Sequence, residues 1–320
     1  MVVFFHASLF HRMGSGPLWT STVVLEGDRC RANWWTNLLF INNYVHPDNM
    51  CMFQSWYLSV DTQLFIVGIL LVYCIGRWPC LGYSLLASLS TLAILVPIFN
   101  TWWKEAEAFL LPFAKNTADV VSYKYFTDVY VRTENRAAPY FIGVMVGVLL
   151  VKREHTKFRI GKAMSLLALV LVEGAFFGSF FASYWFYKPD ASYTPLQAGL
   201  FTSLSRVAFA ISRAGIILLV TFGSLDVLGS IFSWKPFRVL SRLVYGAYLV
   251  HTLAHLYHKG TLRLPLQTVS LYPVWMLFGD LVFSFATSFL LMLLLESPVR
   301  ALSKLVLQKR LAQHNQKQET

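Results

Sequence analysis

Apolar residues in this chain come in long, unbroken runs rather than in the short alternations or single-faced stripes of a soluble fold. The runs lie at 57–76, 80–99, 138–151, 163–186, 198–222, 239–257 and 273–296. A bilayer is crossed by about 20 apolar residues, with a range of roughly 17 to 25. The pattern therefore predicts an all-α, polytopic transmembrane helix bundle of about seven spans. The run at 138–151 is short and needs flanking residues or a thinned bilayer. Residues 1–11, which lead into Arg12, read as the last turns of a further helix, an N-terminal stub. They lack the basic start and small-residue cleavage site of a signal peptide.

The loops between the runs orient the bundle. Lys152, Arg153, Lys157, Arg159 and Lys162 stand against Glu154 after the third run, which predicts a cytosolic loop there. Lys235, Arg238 and Arg242 fall on the same side two connections later, and so does the tail with Arg300, Lys304, Lys309, Arg310 and Lys317. The opposite side receives 188–197, with Lys188 and Asp190, and 258–272, with Lys259 and Arg263. It also receives 100–137, whose five basic residues meet five acidic ones. The expected organisation is a stub at 1–12, an exoplasmic loop at 13–56, the bundle at 57–297 and a cytosolic amphipathic tail at 298–320. In that tail Val299, Leu302, Leu305 and Val306 share a helical face, the pattern of a helix lying on a membrane surface.

Composition agrees. Of the 320 residues 56% are hydrophobic and 16% aromatic, while only 13% are charged, about half the usual share for a soluble domain. The formal net charge of +11 does not point to nucleic acid, because the basic residues sit in short loops between apolar runs. Cys30 and Cys51 share the exoplasmic loop, in a compartment where disulfides form, and a bridge between them is expected over two free thiols. Cys74 and Cys80 fall near the cytosolic face and read as reduced residues inside the bundle. No CxxC pair and no Cys/His zinc spacing occurs, so no metal site is predicted.

Ionisable groups in hydrocarbon are costly and mark candidate sites. Asp61 and Gln63 lie about a turn into the first long run; Asp61 reads either as a base, a substrate hydrogen-bonding group or an ion-pair partner, or as a helix cap at the interface. His251, His255 and His258 follow Tyr248, and His251 and His255, four apart, face one side of a helix. Arg206 and Arg213, seven apart, also share a face, and arginine forks suit carboxylates, phosphates or an acyl thioester donor. Glu173 needs a partner or a protonated state, and structural pairing is the favoured reading.

Several stretches carry a resemblance. Ser55-Trp-Tyr-Leu-Ser-Val-Asp-Thr-Gln-Leu-Phe resembles the W-S-L-S-V-E-x-Q-F-Y helix start of the membrane acyltransferase 3 family, with Asp61 in the place of the usual Glu. Gly16-Pro-Leu-Trp19, Cys30, Trp34-Trp35, Asn37 to Asn43 and Cys51 are similar to the exoplasmic loop of its animal branch, the nose resistant to fluoxetine proteins. Tyr130, Arg136 and Pro139-Tyr-Phe-Ile-Gly143 with Gly147 look like that branch's Y…R…P-Y-x-I-G-x-x-x-G segment. Ser241 to His251 resembles its S-x-L-x-Y-x-x-Y-L-x-H, and Glu296-Ser-Pro298 its last helix end.

The resemblance implies an integral membrane O-acyltransferase that moves an acyl group, with acyl-CoA as the expected co-substrate and no bound cofactor, to a hydroxyl of a lipid, sugar or other small acceptor. Membrane lipids, the acyl donor and the acceptor are the expected partners. Asp61 and His251 are the candidate catalytic residues; Gln63, Arg206, Arg213 and Tyr248 are the candidate substrate-binding residues. The family's early helix, with an arginine and a catalytic histidine some ten residues on, has no counterpart before Gly14. The chain is therefore expected to be the C-terminal portion of a longer protein, and possible inactivity goes with that expectation. A non-catalytic role in transporting lipids or hydrophobic compounds is the rival reading. Topology allows an endomembrane or the plasma membrane.

Overall fold

The structure, a computed structural model, describes residues 1–110, 119–153, 159–188, 192–263 and 271–305. Glu154, Lys157, Asp190, Val306, Lys309, Arg310 and Lys317, which entered the reading of the loops and tail, lie outside these residues. Among the described residues every regular element is helical and none is a strand. The main helices are α1 (Val2–Ser8), α2 (Leu25–Leu38), α3 (Trp56–Arg77), α4 (Pro79–Trp103), α5 (Ala137–Arg153), α6 (Lys162–Tyr187), α7 (Pro195–Phe222), α8 (Asp226–Phe232), α9 (Lys235–Thr261) and α10 (Tyr272–Leu291). The last continues through a π turn at Met292–Glu296 as far as residue 305.

Local chemistry sets where these helices begin. α4, α7, α9 and α10 each carry a proline in the first two positions, where a missing N–H removes no intrahelical bond and φ is already helical. α7 also has a reciprocal cap: Gln197 N–H donates to the Thr194 hydroxyl, and Thr194 N–H donates to the Gln197 side chain.

Among the described residues five helices are long and apolar enough to cross a membrane: Phe53–Arg77, Pro79–Trp103, Lys162–Tyr187, Pro195–Phe222 and Pro273–Leu305. The other two predicted runs form helices as well. α5 has 17 residues, and α9 has 27 but interrupts its apolar sequence with His251, His255 and His258. Large apolar side chains point outward along the spans, among them Leu70, Val170, Phe181 and Leu294, each more than 60% exposed. Such surface is costly in water and neutral against lipid tails.

The chain divides into two compact units, 29–232 and 1–28 with 233–320. In the first of these, the core is formed by Val60, Leu64 and Leu71 of α3, Leu86 and Ala93 of α4, and Ala137, Ala138 and Phe141 of α5. α7 closes on α4 where Gly199 meets the Ile98 carbonyl; a Cβ there would lie 2.6 Å from that oxygen. Next to it the Ser203 hydroxyl donates to the Ile94 carbonyl at 2.7 Å.

Outside the spans of this unit, Cys30 and Cys51 are disulfide-bonded, with 21 residues of separation. Beside them Arg29 donates through both terminal nitrogens to Asp119, at 2.9 and 2.6 Å, and Ser122 adds a third bond to the same carboxylate. Met50, Val121, Phe126 and Val131 fill the space beneath. Burial alone would raise the Asp119 pKa. The hydrogen bonds from Arg29 and Ser122 and the Arg29 charge outweigh it and hold the carboxyl below its ordinary value.

In the other unit α9 and α10 cross where Gly246 meets Ser288, whose hydroxyl donates to the Leu243 carbonyl at 2.6 Å. Small residues at a crossing let two backbones approach, as membrane helices require. Gly16 lies against the Gly260 carbonyl, with no room for a Cβ. That explains the Gly16-Pro-Leu-Trp19 motif: Trp19 covers Gly260, stacks edge-on with Tyr257 and donates to the His11 carbonyl.

Replacing Cys30 and Cys51 together by Ser is expected to lower stability by about 3 kcal/mol, the chain-entropy value for a loop of this length, read by unfolding in detergent. The Asp119 contribution has a definite sign. Its folded pKa is below the unfolded value, so the stabilisation is complete above the ordinary carboxylate range and is lost as pH falls through the folded pKa. Melting temperature followed downward from about pH 5 should fall more steeply for the native chain than for Asp119→Asn.

Candidate functional site

The Ser55-to-Phe65 motif is mostly a fastening. Ser55, Ser59 and Gln63 stand four apart on one face of the helix start, and each bonds to the asparagine-rich segment 37–43. Asn42 donates to the Ser55 hydroxyl at 2.6 Å and accepts from Ser59; Asn37 donates to Ser55 at 3.1 Å and to the Cys51 carbonyl at 3.0 Å. Gln63 donates to the Phe40 carbonyl at 2.7 Å and to the Asn43 side chain at 3.0 Å, and accepts from the Thr133 hydroxyl. Both amide hydrogens and the oxygen of Gln63 thus have protein partners. Asp61 points away from this stripe. It is exposed and, among the described residues, makes no hydrogen bond or ion pair.

A second group gathers at the start of α5. Asn135 is 1% exposed; its amide donates to the Val129 carbonyl at 2.9 Å, its side-chain oxygen accepts from Asn100 of α4, and its main-chain carbonyl accepts from Arg206 of α7 at 2.6 Å. The next residue, Arg136, donates to the Tyr130 carbonyl at 2.8 Å and lays its guanidinium over the rings of Tyr130 and Trp56, 3.9 and 5.0 Å from their centroids. The ring faces attract the cation and hold it without neutralising it. Arg206 is also bonded to Tyr125 and lies close enough to Arg136 for the two charges to repel. Among the described residues neither arginine has a carboxylate partner.

These two guanidiniums lie at one end of a cavity of about 700 Å³ between α5 and α7. Pro139, Ile142, Gly143, Val146, Gly147 and Leu150 form one wall; Phe209, Ala210, Ala214 and Ile217 form the other. From Arg136 to Leu150 the trough extends about 21 Å along the helix, at 1.5 Å per residue. Arg213 also lines it, but its charge is engaged: the guanidinium reaches both Glu173 oxygens on α6, at 3.1 and 3.2 Å, and covers the Phe176 ring. Ser212 donates to the same carboxylate at 3.0 Å. Of the two predicted arginines, Arg206 heads the trough and Arg213 neutralises Glu173.

Tyr248 and His251 lie in the other unit, on α9. His251 is half-buried; its Nδ1 is 2.6 Å from the Tyr248 carbonyl, which leaves Nε2 as its outward nitrogen. Its ring meets that of His255 edge-on at 5.9 Å. His255 and His258 close on opposite oxygens of Asp280 from α10, at 3.2 and 3.1 Å. Asp280, 8% exposed, is absent from the sequence-based candidates. An acidic residue inside the run at 273–296 was the signal that would have found it. Asn135 carries no comparable signal. No group of three or more His, Cys, Asp or Glu among the described residues is arranged to hold a metal ion.

Long helices with apolar side chains facing outward, and in the unit 29–232 a trough headed by two guanidiniums, define an integral membrane protein. Residues 1–296 match the family model of acyltransferase 3, described as an acyltransferase domain, and the chain belongs to that family. It is 28% identical over 261 residues to Nose resistant to fluoxetine protein 6 of Caenorhabditis elegans, covering 79% of this chain and 31% of that protein. It is 22% identical over 261 residues to Regulator of hypoxia-inducible factor 1 of the same animal, covering 78% of this chain and 50% of that protein. The chain thus spans about a third to a half of the length of these curated relatives. No solved structure matches it.

The two polar residues of the α3 motif should separate on mutation. Gln63→Ala removes one hydrogen bond each from Thr133, Asn43 and the Phe40 carbonyl and is expected to cost about 1 to 3 kcal/mol. Asp61→Asn, at an exposed site with no partner, should stay within about 0.5 kcal/mol of the native chain. Unfolding of the two variants in one detergent compares them directly.

Proposed function

We propose that the chain belongs to a membrane acyltransferase that moves an acyl group from acyl-CoA to the hydroxyl of a lipid, sugar or other small acceptor, with the trough between α5 and α7 receiving the donor. One observation carries this reading: two guanidiniums without a carboxylate partner head an apolar trough in a chain of the acyltransferase 3 family. An acyl donor has the matching form, a polar carbonyl followed by a hydrocarbon chain. Donors fixed beside the carbonyl stabilise the negative charge that develops on its oxygen during attack, the role assigned to Arg206 with Arg136 beside it. Arg213 contributes its stem to the wall and its charge to Glu173.

In the reaction the acceptor oxygen forms a bond to the acyl carbon, the carbon–sulfur bond breaks, and the hydroxyl proton passes through a base to the leaving thiolate. Asp61, with no protein partner among the described residues, and His251, with Nε2 outward, are the candidates for that base. Tyr248 and Gln63 act by support, the first through its carbonyl on His251 and the second by anchoring the loop to α3. The topology that goes with this reading has seven spans and a cytosolic C-terminus in an endomembrane or the plasma membrane.

The test is turnover in membranes containing the chain, supplied with acyl-CoA and a panel of hydroxyl acceptors. Thiol release with an acylated product is expected, falling about 100-fold or more when the base is removed by Asp61→Asn or His251→Ala. The rival reading, movement of lipids or hydrophobic compounds without catalysis, would be favoured by uptake that survives both substitutions with no acylated product.

A further inference from the structure

Glycine in a helix interior costs stability relative to alanine, so each one inside a span calls for a reason. About half of those in the long helices have a close-approach reason: a Cβ at Gly68 would collide with Tyr140, one at Gly199 with the Ile98 carbonyl, and one at Gly246 with the Ser288 hydroxyl. Gly143 and Gly147 on α5 have none. A Cβ at either would meet no atom within 4 Å. Gly76, Gly174, Gly178 and Gly279 are equally uncovered but are not among the residues that line the trough, whereas Gly143 and Gly147 stand four apart in its wall. Pro139 precedes them by four, so one face of α5 is bare of side-chain bulk for three turns in succession.

We infer that Gly143 and Gly147 set the length of the acyl chain the trough accepts, an inference that rests on the donor reading above. Measured along α5 from Arg136, Gly143 lies about 10 Å and Gly147 about 16 Å into the trough. With the donor carbonyl at the arginines, the chain runs first past Gly143 and then past Gly147 towards Leu150 and Ile217, which form the far end. A side chain at Gly147 blocks the distal part of that path and one at Gly143 blocks nearly all of it. The Cβ of either side chain has open space around it.

The experiment uses the full chain in lipid nanodiscs with acetyl-, octanoyl- and palmitoyl-CoA, and with palmitoyl-CoA carrying a photoreactive diazirine at its chain end. The native chain should be labelled near Leu150 and Ile217. Gly147→Leu should weaken retention of palmitoyl-CoA by about tenfold and leave octanoyl-CoA within about twofold. Gly143→Leu should lose octanoyl-CoA as well and keep acetyl-CoA. Gly147→Ala gives a graded version should the leucine variant fold poorly, and Ile217→Ala should shift preference towards longer chains. If the native chain is labelled in the trough and the glycine variants keep its chain-length profile, the inference is overturned while the donor reading stands. Native chain with no label in the trough overturns both.

Discussion

The head of the trough is organised by two consecutive residues, Asn135 and Arg136. A chain entering a membrane helix must leave its last polar backbone groups satisfied before hydrocarbon begins, since no water is present to do so. Asn135 does this in three directions, towards Asn100 on α4, the Val129 carbonyl and Arg206 on α7. Arg136 extends the same knot to α3 by stacking on Trp56 and Tyr130. Four segments far apart in sequence thereby meet at one point, and the position of Arg206 follows from it. Without the Asn135 carbonyl, Arg206 would have no reason to turn into the trough rather than towards an interface.

The family motif around Asp61 divides by the same physics. Its Ser55, Ser59 and Gln63 form a polar stripe on the helix start, and buried amides and hydroxyls must find partners or destabilise the fold. They find them in Asn37, Phe40, Asn42, Asn43 and Thr133, which binds the loop closed by Cys30 and Cys51 to the helix. Asp61 is the residue of the motif left outside that structural duty.

Charges deeper in the spans follow a second rule, that an acid is met by a base; Asp61, exposed near the start of α3, stands apart from it. Glu173 takes Arg213 and Ser212, while Asp280 takes His255 and His258. Arg136 and Arg206 break the rule. Their compensation is aromatic faces, a phenol and main-chain carbonyls, which stabilise a cation without neutralising it. That leaves positive potential at one end of an otherwise apolar cavity, where a polar or anionic head with a chain behind it is the complementary shape.

The helices themselves were legible from hydropathy, because a membrane span is a local property: a run of about 20 apolar residues forms a helix whatever its neighbours are. The sequence also marked Arg206, Arg213, Glu173 and Asp61 as groups that must be explained. What it left open was who satisfies whom. Arg206 and Arg213 share one helical face and one residue type, yet Arg213 meets Glu173, 40 residues away, and Arg206 meets Asn135, 71 residues away. Gln63 meets Thr133, 70 residues on. Periodicity tells which face a side chain occupies, but partner choice depends on which helix packs against that face. Only the tertiary structure decides that, and with it whether a charge is neutralised or left to act.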